Sequence, residues 1–494
     1  MTADLLPLWV LLSSLVASVA IFGLSERRVA TRTAINLVAA VVKLALVAVM
    51  LWGVYQGARY EVRVAFVPGA DLLLRSDPLS LLFISLSAVL WLATTIYAVG
   101  YLEGAPDRSR FFGFFSLCVA STMGIALAGN LLTFFLFYEL LTLSTYPLVV
   151  HRGTAASLAA GDRYLAYTLL GGGLLLVGVA WLHATAGGLE FTVGGALPPP
   201  GDAAPSYVAC FALLVAGLGV KAALVPLHGW LPVAMVAPAP VSALLHAVAV
   251  VKAGAFGIAR VVYDVYGVRL ADTLGLLRPL AAVAATTIVY GSLRALTQDD
   301  LKRRLAYSTV SQLSYIVLGV ATFGQIATVG GLVHLVHQGL MKIVMFFCAG
   351  NLADELELHR VSELDGVGRR MPLTMAAFTV AALGMIGLPP VAGFVTKWYL
   401  GAGALDAGAP WVVGVLLTSS LLNAAYFLPI VYRAWFGVRR EAWPPPAGRL
   451  EVRPTLLGPT VVVAALALAA GVFAATELSP LRWVELIAAQ EYGP

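Results

Sequence analysis

The stretch Leu213-Leu214-Val215-Ala216-Gly217-Leu218-Gly219-Val220-Lys221-Ala222-Ala223-Leu224-Val225-Pro226 is apolar, with one lysine inside it and a proline five residues further on. With the residues from 206 onward it makes a run of about 20, enough to cross a hydrocarbon core. A lysine at that depth must be held by protein rather than lipid. The proline removes the N–H that would bond the Ala222 carbonyl. A freed carbonyl there is tolerated only against protein or a wet cavity. The stretch reads as a membrane helix interrupted beside a charge, the arrangement of mid-membrane transport sites. A simple proline kink is the alternative.

The rest of the chain is equally apolar. Of its 494 residues 60% are hydrophobic and only 12% charged, and the mean hydropathy is +0.89. Soluble domains carry about 25% charged residues, and disordered chains are far less apolar. Fourteen stretches can span: 5–24, 33–56, 78–100, 111–128, 130–150, 164–186, 206–227, 238–260, 273–293, 304–322, 325–350, 372–400, 410–432 and 455–476. They are continuous rather than alternating, which excludes a β-barrel. The first lacks a basic flank and follows Asp4, so it reads as a retained helix rather than a signal peptide. The loops are too short for a soluble catalytic domain. The fold class is an all-α polytopic membrane protein, one transmembrane domain over 1–494.

The net charge of +5 is mild, and the basic residues form no nucleic-acid stripe. Cys118, Cys210 and Cys348 lie far apart without a CxxC pair, so nothing points to an iron–sulfur, zinc or haem c site. There is no Walker A loop, dinucleotide fingerprint or Ser-His-Asp pattern. Gly171-Gly172-Gly173 reads as close helix packing. The expectation is a chain with no cofactor and no catalytic or redox centre of its own.

Loops after odd-numbered stretches hold nineteen Lys/Arg, and those after even-numbered stretches plus the tail hold seven. The positive-inside rule then places both termini outside the cytoplasm of an inner (cytoplasmic) membrane. The other five are all lysines inside stretches: Lys43, Lys221, Lys252, Lys342 and Lys397. The chain has only six lysines against twenty-five arginines, and the arginines fall in loops or at span ends. Arginine does not lose its proton in a protein, whereas a buried lysine can. A membrane interior that loads and releases protons needs lysine, histidine or carboxylate.

Glu139 is the one carboxylate deep inside a stretch, and His246, His334 and His337 join the set. Each such group costs at least ~2.5 kcal/mol to insert, so each is a functional candidate. Glu139 could instead merely neutralise a lysine for packing. Lys397 follows Gly387-Leu388-Pro389-Pro390, which breaks the twelfth stretch as Pro226 breaks the seventh. Two lysine-bearing breaks in two halves point to an internal repeat. On a helix turning about 100° per residue, His334, His337 and Lys342 share an arc of about 140°. Metal binding by the two histidines lacks a third ligand at suitable spacing. His246 and Lys252 point about 120° apart, so only water could link them. For Lys43, snorkelling to the interface is as open as function.

These residues resemble one family. Tyr138-Glu139 with Ser144-Thr145-Tyr146, the block Gly219-Val220-Lys221 to Pro226-Leu227-His228-Gly229-Trp230-Leu231-Pro232, Ser242-Ala243-Leu244-Leu245-His246, and Gly387-Leu388-Pro389-Pro390 with Gly393-Phe394 and Lys397 are similar to the proton-translocating, antiporter-like membrane subunits. Such subunits occur in Mrp-type cation/proton antiporters, in respiratory complex I and in energy-converting hydrogenases. The resemblance covers about residues 75 to 440. It implies fourteen helices with two inverted five-helix repeats, each containing a broken helix: 109–265 for helices 4–8 and 270–440 for helices 9–13. Residues 1–108 would then hold helices 1–3, and 441–494 helix 14 and the tail. It also implies a proton relay of Glu139, Lys221, Lys252, His246, His334, His337, Lys342 and Lys397, with Glu139 and Lys221 as a pair. Cys348-Ala349-Gly350-Asn351 and the 366–372 linker look most like an Mrp D-type subunit.

The expected activity is proton movement along this relay as one subunit of a multisubunit Mrp-type cation/proton antiporter, driven by partner membrane subunits or an ion gradient. Complex I, a membrane-bound hydrogenase or another enzyme-coupled complex is the alternative setting. Sodium would pass elsewhere in the complex, since a hard cation wants several oxygen ligands. A purely structural bundle is disfavoured by five buried lysines.

Overall fold

Capping side chains set the helix starts. Asp77 accepts from the Ser80 N–H at 2.7 Å, Asn130 from Thr133 at 2.8 Å and Asp300 from Arg303 at 2.8 Å. The computed structural model describes residues 4–67, 70–188, 190–439, 443–445, 448 and 450–493. Arg440 and Arg449, two of the loop arginines counted above, and part of the 441–494 tail lie outside the described residues.

The elements are α1 (Leu6–Phe22), α2 (Val29–Tyr55), β1 (Tyr60–Val67), β2 (Ala70–Ser76), α3 (Pro78–Tyr101), α4 (Arg108–Leu127), α5 (Leu131–Val149), α6 (Ala155–Ala186), α7 (Ala204–Lys221), α8 (Ala239–Ala243), α9 (Val250–Arg260), α10 (Val268–Thr273), α11 (Leu277–Leu296), α12 (Leu301–Ala321), α13 (Gln325–Leu356), α14 (Val367–Arg370), α15 (Pro372–Ile386), α16 (Ala392–Asp406), α17 (Pro410–Phe436), α18 (Pro454–Val472) and α19 (Pro480–Tyr492). Two π-helical turns, Leu244–Val248 and Val261–Tyr266, join α8 and α9 into one run ending at Tyr266.

Every expected stretch has a helical counterpart. Eleven among the described residues are long and apolar enough to cross a membrane by themselves. The others are α1, α12 and the broken pair α15–α16. α12 misses on hydropathy because its N-terminus carries Lys302, Arg303 and Arg304 and its interior Ser308, Thr309, Ser311, Gln312 and Ser314, all five of those buried. Polar side chains inside a spanning helix are tolerated where protein covers them.

Several expectations need correction. The all-α fold class holds for the spanning bundle, with one unexpected addition outside it: an antiparallel hairpin, β1 on β2, with Val62 opposite Leu74 and Val64 opposite Leu72. Its period-2 alternation was present in a segment read as loop. The seventh stretch does not run to 227. α7 stops at Lys221, Ala223 turns left-handed at φ 55°, and the path returns through turns and a short 3-10 segment. Pro226 therefore lies in the irregular return rather than kinking a continuous helix. Arg260 is not at a span end: the helical run continues past it, and it is buried in ion pairs with Asp77 at 2.8 Å and Asp264 at 2.9 Å. Asp264 is thus a second buried carboxylate within a spanning run.

The loops sort by parity. Glu26 bonds Ser109, Arg110 bonds the His151 carbonyl, Asp299 bonds Ser362, and Arg453 pairs with Glu103. All of these belong to odd-numbered connections. At the opposite end Arg63 pairs with Glu190, Thr192 bonds the Asp264 carbonyl, and Glu491 of α19 accepts from Gly194. Two spanning runs form the centre: the windows of Ala239–Tyr266 and of α13 are 100% buried, against 22% for α2 at the periphery. These two carry His246, Lys252, His334, His337 and Lys342.

Candidate functional site

Glu139 lies on α5, in mid-helix, half-buried, and its Oε1 is buried without a hydrogen-bond partner. Space for this carboxylate comes from α6. A Cβ on Gly172 would meet Glu139 Oε1 and come within 2.6 Å of Cδ. Lys221 ends α7 at the first break, fully buried. Its Nζ donates to the Tyr138 carbonyl and sits 3.3 Å over the Tyr138 ring. Lys221 and Glu139 lie within electrostatic reach of each other without a direct ion pair between them. Tyr138 serves Lys221 with both its carbonyl and its ring face. Its hydroxyl donates to the Gly217 carbonyl at 3.0 Å, and Trp230 donates to that of Val220 at 2.7 Å. Side chains thus satisfy the carbonyls near the break.

α9 packs onto the end of α7 at Gly254, where a Cβ would come within 2.8 Å of the Lys221 carbonyl carbon. Lys252, two residues away and so on the other face of α9, turns toward α13 instead. Lys252 Nζ donates to the Leu335 carbonyl of α13. His246 lies in the first π turn, which shifts it from the ideal-helix angle; π turns recur at functional sites. Its ring packs on Phe346 at 4.6 Å, and neither nitrogen has a partner.

On α13, His334 and His337 meet as the helical arc requires. Both Nδ1 atoms contact one hydroxyl, Thr396 Oγ1 of α16, at 3.3 and 2.9 Å. Lys252 and Lys397 lie within electrostatic reach of His334, Lys252 of His337, and Lys342 of His246. Lys342 donates to Ser308 Oγ at 2.7 Å and to the Leu305 carbonyl at 3.2 Å, both on α12.

Lys397 sits at the second break. α15 ends at Ile386, Gly387 takes φ 94°, and α16 starts at Ala392, after Pro389 and Pro390. The interrupted twelfth stretch is as expected. Lys397 Nζ, half-buried, donates to the Ile386 carbonyl at 2.6 Å and to Ser420 at 2.7 Å. A lysine on the open carbonyls of a helix end satisfies both their hydrogen bonds and the helix dipole.

Lys43 does not snorkel. It is fully buried on α2, bonded to Ser14 of α1 and 4.2 Å over the Trp91 ring of α3. Lysine and arginine separate cleanly in their partners. Every ion pair among the described residues is made by an arginine. The buried lysines bond carbonyls and hydroxyls. A neutral acceptor is not left as an unpaired buried charge when the lysine deprotonates, as a carboxylate would be. Sequence reading missed Tyr138, Gly172, Ser308 and Thr396 as neighbours of the candidate residues. Their signal, uncharged polar or small residues within apolar stretches, is common to many helix contacts.

A polytopic bundle with ionisable groups inside it, two lysines at helix breaks, is the architecture of an ion-translocating membrane subunit. Residues 128–423 match the family model described as NADH:quinone oxidoreductase/Mrp antiporter, TM. NADH-quinone oxidoreductase subunit N of Desulforudis audaxviator is 39% identical over 413 residues, covering 80% of this chain and 81% of that protein. NADH-quinone oxidoreductase subunit L of Mycobacterium tuberculosis is 32% identical over 404 residues, but the chain spans only 62% of its length. Among solved structures, a chain in the Mrp complex from Dietzia sp. DQ12-45-1b superposes with a TM-score of 0.87 at 25% identity, covering 100% of this chain and 98% of that one. The chain belongs to the NADH:quinone oxidoreductase/Mrp antiporter transmembrane family.

Proposed function

We propose that this chain moves protons across the membrane, as one subunit of a multisubunit complex, through Glu139, Lys221, Lys252, His246, His334, His337, Lys342 and Lys397. The observation that carries this reading is the partnering of the lysines. Lys221, Lys252 and Lys342 are fully buried and hold neutral acceptors rather than carboxylates. Each can lose its proton at modest structural cost, and a charge on one disfavours a charge on the next.

A charge change in a neighbouring subunit shifts the Glu139–Lys221 interaction. Lys221 then alters the proton affinity of Lys252, and the change passes by the two histidines and Lys342 to Lys397. Residues 109–265 and 270–440 act as the two repeats, each with one lysine-bearing break. The basic odd-numbered loops face the cytoplasm.

For the assembly we favour a redox-linked, complex I-like machine, supported by the relative of 39% identity over most of both chains. The Mrp-type cation/proton antiporter is the second reading, supported by full-length superposition on a chain of the Mrp complex. Sodium, in that case, takes a path through another subunit.

Proton uptake into inverted membrane vesicles tests the role. Glu139→Ala and Lys221→Arg are expected to abolish coupled transport with the complex still assembled; normal transport in both would overturn the relay. Mass spectrometry of the intact complex with an iron assay separates the assemblies. Iron–sulfur partners support the redox-linked one, and small iron-free membrane partners the antiporter.

A further inference from the structure

The last link of the row, from Lys342 to Lys397, runs through a buried hydrogen-bonded chain that joins five helices, α13, α12, α17, α15 and α16. Lys342 Nζ of α13 donates to Ser308 Oγ of α12 at 2.7 Å. Ser308 Oγ lies 3.0 Å from the Tyr426 hydroxyl of α17. Tyr426 also bonds Asn423 Oδ1, one turn earlier on α17. Asn423 Nδ2 donates to the Met385 carbonyl at 3.0 Å. That carbonyl and Ile386's receive Lys397 Nζ, at 3.4 and 2.6 Å. Lys342, Ser308, Asn423 and Tyr426 are each 0% exposed.

Ser308 and Tyr426 have one hydroxyl hydrogen each, so each can donate once. When Lys342 is an ammonium, Ser308 Oγ must accept from it. The serine hydrogen then points to Tyr426, and the tyrosine hydrogen to Asn423 Oδ1. When Lys342 is a neutral amine, its lone pair can accept. Ser308 then turns to Lys342, Tyr426 donates to Ser308, and Asn423 Oδ1 loses its donor. The chain has two polarities, and the proton on Lys342 selects between them. It ends in an amide on a backbone carbonyl, so it carries no net proton.

We propose that Tyr426 is a positioning residue whose hydroxyl, held between Ser308 and Asn423, transmits the charge state of Lys342 to the carbonyl cage around Lys397. This deepens the relay reading and rests on it. The helix carrying Tyr426 is itself anchored: Arg304 donates to the Tyr426 carbonyl at 3.0 Å. The ring packs on Phe427 at 4.5 Å, so Tyr426→Phe keeps the packing and removes only the hydroxyl. The transmission is thus separable from the fold.

The test uses the assembled complex in vesicles. Tyr426→Phe and Ser308→Ala should each lower transport about tenfold, within the usual range of coupling between sites. They should shift the pH profile of transport alike, and the double variant should lose no more than either single one. Ser308→Thr, which keeps the hydroxyl, should restore transport. Tyr432→Phe, an exposed tyrosine on the same helix, should leave rate and profile unchanged. Should Tyr426→Phe fail to assemble, Ser308→Ala against Ser308→Thr decides. Wild-type transport in Tyr426→Phe, or in Ser308→Ala, with loss in Lys342→Ala and Lys397→Ala, would overturn this link and leave the relay standing. Wild-type transport in the two lysine variants would instead overturn the relay reading.

Discussion

Lys397 Nζ donates to the Ile386 carbonyl oxygen at 2.6 Å, so the ammonium sits on the open end of the helix that the chain breaks at Gly387. The same group is both a cap for α15 and the last ionisable side chain of the proposed relay.

Replacing Lys397 should therefore do two separable things. Lys397→Ala leaves the Ile386 carbonyl without its partner and should cost about 1–3 kcal/mol, seen as a lower Tm of the purified complex. Lys397→Met fills the stem but supplies no donor, so its Tm should fall similarly. Lys397→Arg should keep most of the stability and lose transport, because a guanidinium holds its proton. Transport at the wild-type rate in Lys397→Arg would remove Lys397 from the relay.

Gly172 and Gly173 offer a contrast one residue apart. A methyl at Gly172 enters the space of the Glu139 carboxylate, whereas at Gly173 nothing lies within 4 Å. The carboxylate is a flexible end and can move, so Gly172→Ala should assemble yet transport poorly, by about tenfold on the scale of a displaced functional group. Gly173→Ala should behave as wild type. Equal rates in the two variants would show that the position of Glu139 does not matter.

Glu451 binds the start of α15 from a connection distant in sequence. Its carboxylate accepts from the Leu373 N–H at 2.9 Å, and from the N–H and the hydroxyl of Thr374, each at 2.6 Å. A negative charge at a helix N-terminus with three donors is a strong cap. Glu451→Ala should destabilise the complex by about 1–3 kcal/mol, while transport per assembled complex stays near normal. Thermal unfolding in detergent and vesicle transport measure the two.

α19 should dock in a pH-dependent way. Burial pushes the Glu491 carboxyl up to about 8, helped by the charges of Asp264 and Asp77 and opposed by the Gly194 N–H and by Arg260. A carboxyl raised in the docked state is neutral there while the free form is ionised. Docking is thus fully favoured below its ordinary value of 4.5 and weakens as pH rises toward 8. The protection of residues 480–492 against hydrogen exchange, corrected for base-catalysed intrinsic exchange, should fall at alkaline pH, and Glu491→Gln should abolish that fall. Protection that does not change with pH in the unaltered chain would contradict this.

The legible part was the part that period and composition encode. Apolar runs long enough to span gave the helices, because a bilayer forces backbone groups to pair within a segment. Gly387 with Pro389 and Pro390 marked the second break directly. Pro226 marked the first, but α7 ends earlier, at Lys221, because the left-handed turn at Ala223 starts the return. The hairpin was overlooked because strand alternation is a weak signal beside fourteen apolar runs. α19 lay beyond the last of them.

Sequence alone marked the lysines, the histidines and Glu139 as groups that could titrate within the membrane; Asp264 joined them only because the eighth run continues to Tyr266. Lysines and histidines inside apolar runs are visible residue by residue, as is the segregation of lysine from arginine. Only the tertiary structure decided their partners. Tyr138 receives Lys221, one threonine serves two histidines, and Ser308 and Tyr426 lead from Lys342 toward the carbonyls that hold Lys397. A hydrogen bond between helices depends on their rotation and depth in the bundle. Those follow from packing across more than a hundred residues of sequence, which no local pattern records.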